Sequence, residues 1–219
     1  MKTRTIVIPG EYLDEKRGRK LGSGTYEEND KVYSTFLGIA RISENELSVV
    51  PLSGTYLPKL GDRVIATIDE VEISGWFIEM NSPYSAFLPI AEAVDEFVDL
   101  QRTDITRYFD IGDIIFGRIS RVTRNKNVQL SMRDFESRKL KGGIVIKVTP
   151  SKIPRIIGKE GSMIMMIKEK TKCEIVTGQN GLVWIRGEDK QKAIEAILTI
   201  DRESHMTGLT EKIEKMLGE

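Results

Sequence analysis

The residues of this 219-residue chain best suited to chemistry are two glycines in Ile157-Gly158-Lys159-Glu160-Gly161-Ser162-Met163-Ile164. Glycine has no Cβ, so a sugar–phosphate backbone can lie against the main chain at such a place. A helix starting at the loop would turn its free N–H groups toward the phosphates. Lys159 adds a cation there, whereas Glu160 opposes a polyanion and implies modest affinity from this loop alone. Arg155, Ile157 and Ser162 flank the glycines and complete the expected contact set. The competing reading is a helix–turn–helix with no ligand. A P-loop is excluded, because it needs Gly-x-x-x-x-Gly-Lys-Ser/Thr and Lys159 is followed by Glu160. Other chemistry has little to work with. Cys173 and His205 are single, so no internal disulfide and no ordinary metal site is expected. No catalytic residue, metal or cofactor is expected anywhere.

The elements that must position this loop can be read around it. Residues 144–148 alternate like a strand, 152–157 form a short helix, and 162–171 form a second helix with Met163, Ile164, Met166 and Ile167 on its apolar side. Residues 173–176 and 182–186 are strands joined by Gly178-Gln179-Asn180-Gly181, where Asn-Gly is a strong hairpin signal. Asp189 then caps a helix carrying Ala193, Ile194, Ile197 and Leu198. The order is β-α-α-β-β-α. With Ile-Gly-x-x-Gly-x-x-Ile between its first two helices, residues 140–203 resemble a type I KH domain. That family's loop clamps about four nucleotides. The tail, 204–219, is expected to form a short helix with Leu209, Ile213, Met216 and Leu217 packed on the body or on a partner.

Upstream, residues 59–136 offer five strands with a helical or loop-like stretch, 90–109, between the third and fourth. This is the plan of an OB-type five-stranded β-barrel. Gly61-Asp62, Gly75-Trp76-Phe77, Phe87-Leu88-Pro89-Ile90, Gly112-Asp113 and Val128-Gln129-Leu130-Ser131 resemble the RNA-binding repeat first named from the largest small-subunit ribosomal protein. In that family a strand-two aromatic, a histidine after strand three and polar residues in the last turn face RNA. Phe77 matches the aromatic, but the histidine position is Pro89 and the second aromatic position is Ser74. The resemblance therefore implies less base stacking, and guidance of the strand by Arg121, Arg124 and Lys126. Alternation puts Trp76 and Phe77 on opposite faces, so one of the two is expected to be buried; the sequence leaves open which one.

Charge supports a polyanion partner. The whole chain is balanced, with 33 basic and 33 acidic residues. Yet residues 118–172 hold 15 basic residues against 4 acidic ones. One part can attract phosphate while the rest repels it. The longest apolar runs, such as 182–185, fall far short of the roughly 20 residues a bilayer requires. Pro9 interrupts the N-terminus before a signal-peptide core could form, so a cytoplasmic location is expected.

Residues 1–58 hold short β-branched stretches at 5–8, 31–35, 37–42 and 47–50, separated by turns, and read as a small antiparallel β-domain. The chain is thus expected to be an α+β multidomain protein. The motifs Ile8-Pro9-Gly10, Gly22-Ser23-Gly24-Thr25-Tyr26 and the run from Pro51 to Asp62, placed before barrel and KH segments, resemble one family over the full length. It is the cap subunit of the archaeal exosome, ribosomal-RNA-processing protein four. The resemblance implies a non-catalytic subunit that binds single-stranded RNA and feeds it to a six-membered ring of ribonuclease-PH-like proteins. It also implies a three-subunit cap, formed with itself or mixed with another cap protein, with the N-terminal domain on the ring. Polynucleotide phosphorylase carries the same two RNA modules in the opposite order, after catalytic domains absent here. A free-standing RNA-binding regulator or translation-related factor is the alternative.

Overall fold

The computed structural model describes residues 5–96, 98–99, 104–204, 206 and 208–218. The chain divides into two compact units, Met1–Gly54 and Thr55–Glu219. Among the described residues the first unit has seven short strands: β1 (Thr5–Val7), β2 (Tyr12–Glu15), β3 (Lys20–Leu21), β4 (Thr25–Glu28), β5 (Lys31–Ser34), β6 (Gly38–Ile42) and β7 (Glu46–Pro51). They make two sheets, ordered β1-β6-β7-β3 and β2-β5-β4. Val7, Ala40 and Val49 form a small core with Leu13 against it. The stretches expected from sequence correspond to β1, β5, β6 and β7. Strands β2, β3 and β4 escaped it because they bury almost nothing: Tyr12–Glu15 and Thr25–Glu28 have no fully buried residue and carry acidic side chains outward.

The second unit begins with the barrel. Its elements are β8 (Arg63–Glu72), β9 (Gly75–Glu79), β10 (Ala86–Pro89), α1 (Ile90–Ala93), β11 (Ile114–Val122) and β12 (Val128–Ser131). The strand order is β12-β10-β9-β8-β11, and a β11–β12 pairing closes the circle. Register shifts between Ile68 and Glu70 on β8, and between Ile119 and Arg121 on β11, give the bends that closure needs. Val64, Ala66 and Ile68 alternate inward and pack on Trp76, Ile78, Leu88, Ile115, Ile119 and Leu130. A short strand, β13 (Arg138–Leu140), shares β11 with β12, pairing with Ile114–Phe116. It was not expected. Of the helical stretch expected at 90–109, only α1 and one 3-10 turn, Ile105–Arg107, are described.

The remainder runs β14 (Ile144–Lys147), α2 (Ile153–Ile157), α3 (Ser162–Thr171), β15 (Cys173–Thr177), β16 (Leu182–Gly187), α4 (Lys190–Glu203) and α5 (Leu209–Gly218). The sheet is antiparallel, ordered β14-β16-β15, as the KH reading requires. Ile153, Ile156, Met163, Ile164 and Ile167 from the two helices pack on Ile175, Val183 and Ile185 of the sheet and on Ala193, Ala196 and Ile197 of α4. Cys173 fills space in that core. The tail helix packs on the body: Leu209, Ile213 and Leu217 of α5 belong to the same core. Asp189 stands at the start of α4, but its side chain makes no capping bond. His205 lies outside the described residues.

Barrel and KH fold are welded. The outer face of β8 contributes Ile65, fully buried, to a second apolar cluster with Phe116, Leu140, Val176, Leu182 and Trp184. At the end of the β15–β16 hairpin, Asn180 is also fully buried. Its amide nitrogen donates to the carbonyls of Ile65 and Met80, both at 2.7 Å, and its amide oxygen accepts from Ile65 N–H at 3.3 Å. Next to it, Gln179 N–H donates to Arg63 C=O at 2.8 Å, and Arg63 N–H donates to the Gln179 side chain at 2.9 Å. The hairpin turn legible in the sequence is thus also the joint between two folds.

Candidate nucleic-acid interface

Helix α2 stops at Ile157 because Gly158 takes φ 77° and ψ 178°, a conformation essentially restricted to glycine. Glu160 (φ 53°, ψ 25°) and Gly161 (φ 82°, ψ 6°) are both left-handed, and α3 starts at Ser162. No side chain caps α3, so amides of its first turn keep their capacity for an outside acceptor. The two glycines are needed for different reasons. A Cβ on Gly161 would meet nothing within 4 Å. A Cβ on Gly158 would lie 2.7 Å from the Met163 Cβ and 2.8 Å from the Met163 nitrogen. Gly161 therefore offers the open approach read from the sequence, whereas Gly158 is required by the packing of α2 against α3.

Around the loop, Lys159, Glu160 and Ser162 are exposed, and Ile157 is half-buried against the core. Arg155 is exposed but tethered, donating to the carbonyl of Met206 at 3.2 Å. Lys159 pairs with no described carboxylate, and neither do Arg121, Arg124 or Lys126 on the barrel. By contrast Arg63, Arg138, Lys139, Lys152 and Arg186 are paired with carboxylates. The cations at the loop, on β11 and in the β11–β12 turn are thus among those left for an external anion. Lys126 sits in that turn at φ 64°, its ammonium 5.9 Å from the Tyr84 ring.

On the barrel, Trp76 is core. Its indole N–H donates to the Phe109 carbonyl at 2.8 Å, and its ring meets the Phe109 ring edge-on at 5.2 Å. Phe77 faces outward, 38% exposed. Cross-strand register places Glu70, Phe77, Phe87, Gln129 and Arg121 in one outward row over β8, β9, β10, β12 and β11. The Phe77 and Phe87 rings meet edge-on at 5.1 Å. The row is acidic at the Glu70 end, where Asp69 and Glu79 also line the hollow beside Phe77, and basic at the Arg121 end. Phosphates would keep to the second end. Phe87 and Gln129 were missed as candidates, although strand alternation signals Phe87, since its neighbours Ala86 and Leu88 both point inward.

A family model described as a KH domain matches residues 143–191, which include the loop. A second, described as the exosome RNA binding protein RRP4 N-terminal domain, matches residues 4–53. A Pyrococcus horikoshii protein named exosome complex component Rrp4 is 44% identical over 99% of this chain and 83% of its own length. The chain belongs to the Rrp4 family. Another Rrp4, from Methanothermus fervidus, is 40% identical over 99% of this chain and 96% of its own. A crystal structure of an exosome complex RNA-binding protein superposes with a TM-score of 0.69 at 30% identity, covering 75% of this chain and 96% of that one. The Rrp4 likeness takes in both units, and with them the loop and the barrel cations. Among the described residues no cluster of His, Cys, Asp or Glu could hold a metal ion, and no helix is long and apolar enough to cross a membrane.

Proposed function

We propose that this chain is a non-catalytic RNA-binding cap subunit of an exosome, binding single-stranded RNA and guiding it into a phosphorolytic 3′-to-5′ exoribonuclease ring. The observation that carries the reading is the uncapped turn at Gly158–Gly161, open at Gly161, in a chain of the Rrp4 family. The RNA-binding set is Arg155, Ile157, Gly158, Lys159, Glu160, Gly161 and Ser162 at the loop, with Phe77, Arg121, Arg124 and Lys126 on the barrel. Within that set Gly158 shapes the loop rather than touching RNA, and Arg155 keeps one donor on Met206. The partners are RNA, a hexameric ring of ribonuclease-PH-like subunits, and further cap subunits in a trimer, with no membrane. A trimer suits a modest site, because three linked sites gain avidity. The first unit is the ring-docking part. Ile6, Ile8, Tyr12, Leu37 and Ile42 are all exposed on it, which supports a protein contact there. The location is cytoplasmic.

Co-purification with the ring proteins tests the assembly, and a free-standing RNA-binding factor would fail to co-purify. The purified chain alone is expected to show no phosphorolysis of RNA; activity would favour an enzyme. Within the set named above, four cations with no described carboxylate partner, Lys159, Arg121, Arg124 and Lys126, set a lower bound on the salt dependence. At about −0.7 per phosphate for single strands, log K against log salt should fall with a slope of about −3 or steeper. A flat plot in a fluorescence-anisotropy titration contradicts the electrostatic path.

A further inference from the structure

Phe135 is 91% exposed. A lone exposed apolar side chain needs no explanation by itself. The backbone that carries this one is held in place. Its turn is closed by Ser137 N–H donating to the Asp134 carbonyl at 2.9 Å and by Glu136 N–H donating to the Asp134 carboxylate at 3.3 Å. Asp134 and Glu136, on either side of it, both grip the guanidinium of Arg63. The Glu136 N–H and that guanidinium hold the Asp134 carboxyl below the usual carboxylate range. The Arg63 guanidinium in turn lies 6.0 Å from the centre of the Phe135 ring. Arg63 is also the residue whose backbone bonds Gln179 of the KH hairpin. Phe135 therefore stands at the seam between barrel and KH fold.

The surroundings say what it faces. Across the barrel, Arg63 is in register with Arg118, and Arg118 with Ser131. The next outward pair along the same two strands is Arg121 and Gln129. Arg118 and Arg121 are exposed, and no described carboxylate lies within ion-pair distance of either. Two arginines without a described carboxylate partner, Arg121 and Arg118, thus lead from the β11–β12 turn toward the seam, where the exposed ring stands beside Arg63. The flanks of the ring are mixed in charge, with Asp134 and Glu136 on Arg63, while Arg118 and Arg121 beyond them pair with no described carboxylate. An exposed aromatic beside such arginines suits a polyanion with flat bases better than a protein, whose interface cores are depleted of charge.

We propose that Phe135 is a nucleobase-stacking residue at the barrel–KH seam, taking a base of single-stranded RNA while the phosphates pass Arg118 and Arg121. It carries the strand from the barrel surface toward the KH fold. The inference rests on the RNA-binding function proposed above. Stacking on one aromatic is worth a factor of about 5 to 150 in affinity.

Four chains should be titrated by anisotropy with a fluorescein-labelled single-stranded RNA 20-mer: wild type, Phe135→Ala, Phe135→Leu and Phe135→Trp. The ring makes no core contact, so the same melting temperature is expected for all four. Alanine and leucine should each weaken binding at least 5-fold with an unchanged salt slope, and tryptophan should bind within a few-fold of wild type. Trp76 and Trp184 are buried, so the added indole dominates exposed emission and should be quenched as RNA binds. An abasic ribose-phosphate oligomer should bind wild type and Phe135→Ala equally. Wild-type affinity in Phe135→Ala with no quenching in Phe135→Trp overturns the proposal and leaves the RNA-binding reading standing. Loss of assembly with ring proteins at unchanged RNA affinity makes Phe135 a protein contact and also overturns it. A wild type that binds no RNA removes both.

Discussion

Replacing Gly161 by aspartate is expected to weaken RNA binding about 30-fold or more, the effect of roughly 2 kcal/mol of like-charge repulsion beside a phosphate. The fold should survive. Gly161 is left-handed with open space where a Cβ would go. Aspartate is among the few residues that visit that conformation, at a strain of about 1 kcal/mol. Gly161→Asn supplies the control, with the same shape and no charge, and should retain most of the affinity. A filter-binding titration beside a thermal melt reads both effects. Equal loss in the asparagine variant would mean that steric access, not charge, decides. Unchanged binding in the aspartate variant would remove the loop from the interface. Gly158 is the wrong position for this test, because any side chain there collides with the backbone nitrogen of Met163 and strains the fold.

Asn180→Ala should be the most destabilising single change in the second unit outside the apolar cores. The substitution leaves the Ile65 amide and the Ile65 and Met80 carbonyls facing a gap at a fully buried site. Each unsatisfied group costs about 1–3 kcal/mol, so a total of about 3 kcal/mol or more is expected. For a unit of this size that lowers the melting temperature by roughly 6–12 °C. Asn180→Asp should be nearly as costly, since a carboxylate accepts but cannot donate to two carbonyls. Calorimetry checks the prediction. If Asn180→Ala melts like wild type, water or a backbone shift replaces the side chain and the joint is softer than drawn. A softer joint would also loosen the spacing between barrel cations and the KH loop.

The sequence carried the parts of this fold that depend on local period. Val64, Ala66 and Ile68 alternate because one face of β8 fills the barrel. Leu209, Ile213 and Leu217 recur at helical spacing because α5 closes the KH core. It carried less where the reason for a residue lies far along the chain. Asn180 reads as a turn residue, and its burial depends on β8, 115 positions away. Gly158 reads as an open approach, and its need is set by Met163 across the loop. Trp76 and Phe77 are adjacent aromatics on opposite faces, and only the carbonyl of Phe109 shows which one the barrel took in. Strand β4 (Thr25–Glu28) has no buried apolar set, so hydrophobic period could not reveal it. The site was legible as a motif with its cations. The contrast between paired and unpaired basic residues was not, because pairing is decided in three dimensions.

The most direct measurement is the rate at which reconstituted ring proteins shorten a single-stranded RNA in phosphate buffer, with and without this chain. The wild-type chain should raise the rate, Gly161→Asp should raise it far less, and the chain without the ring should leave the RNA intact. A ring that works equally fast without the chain, or a chain that degrades RNA unaided, would contradict the account.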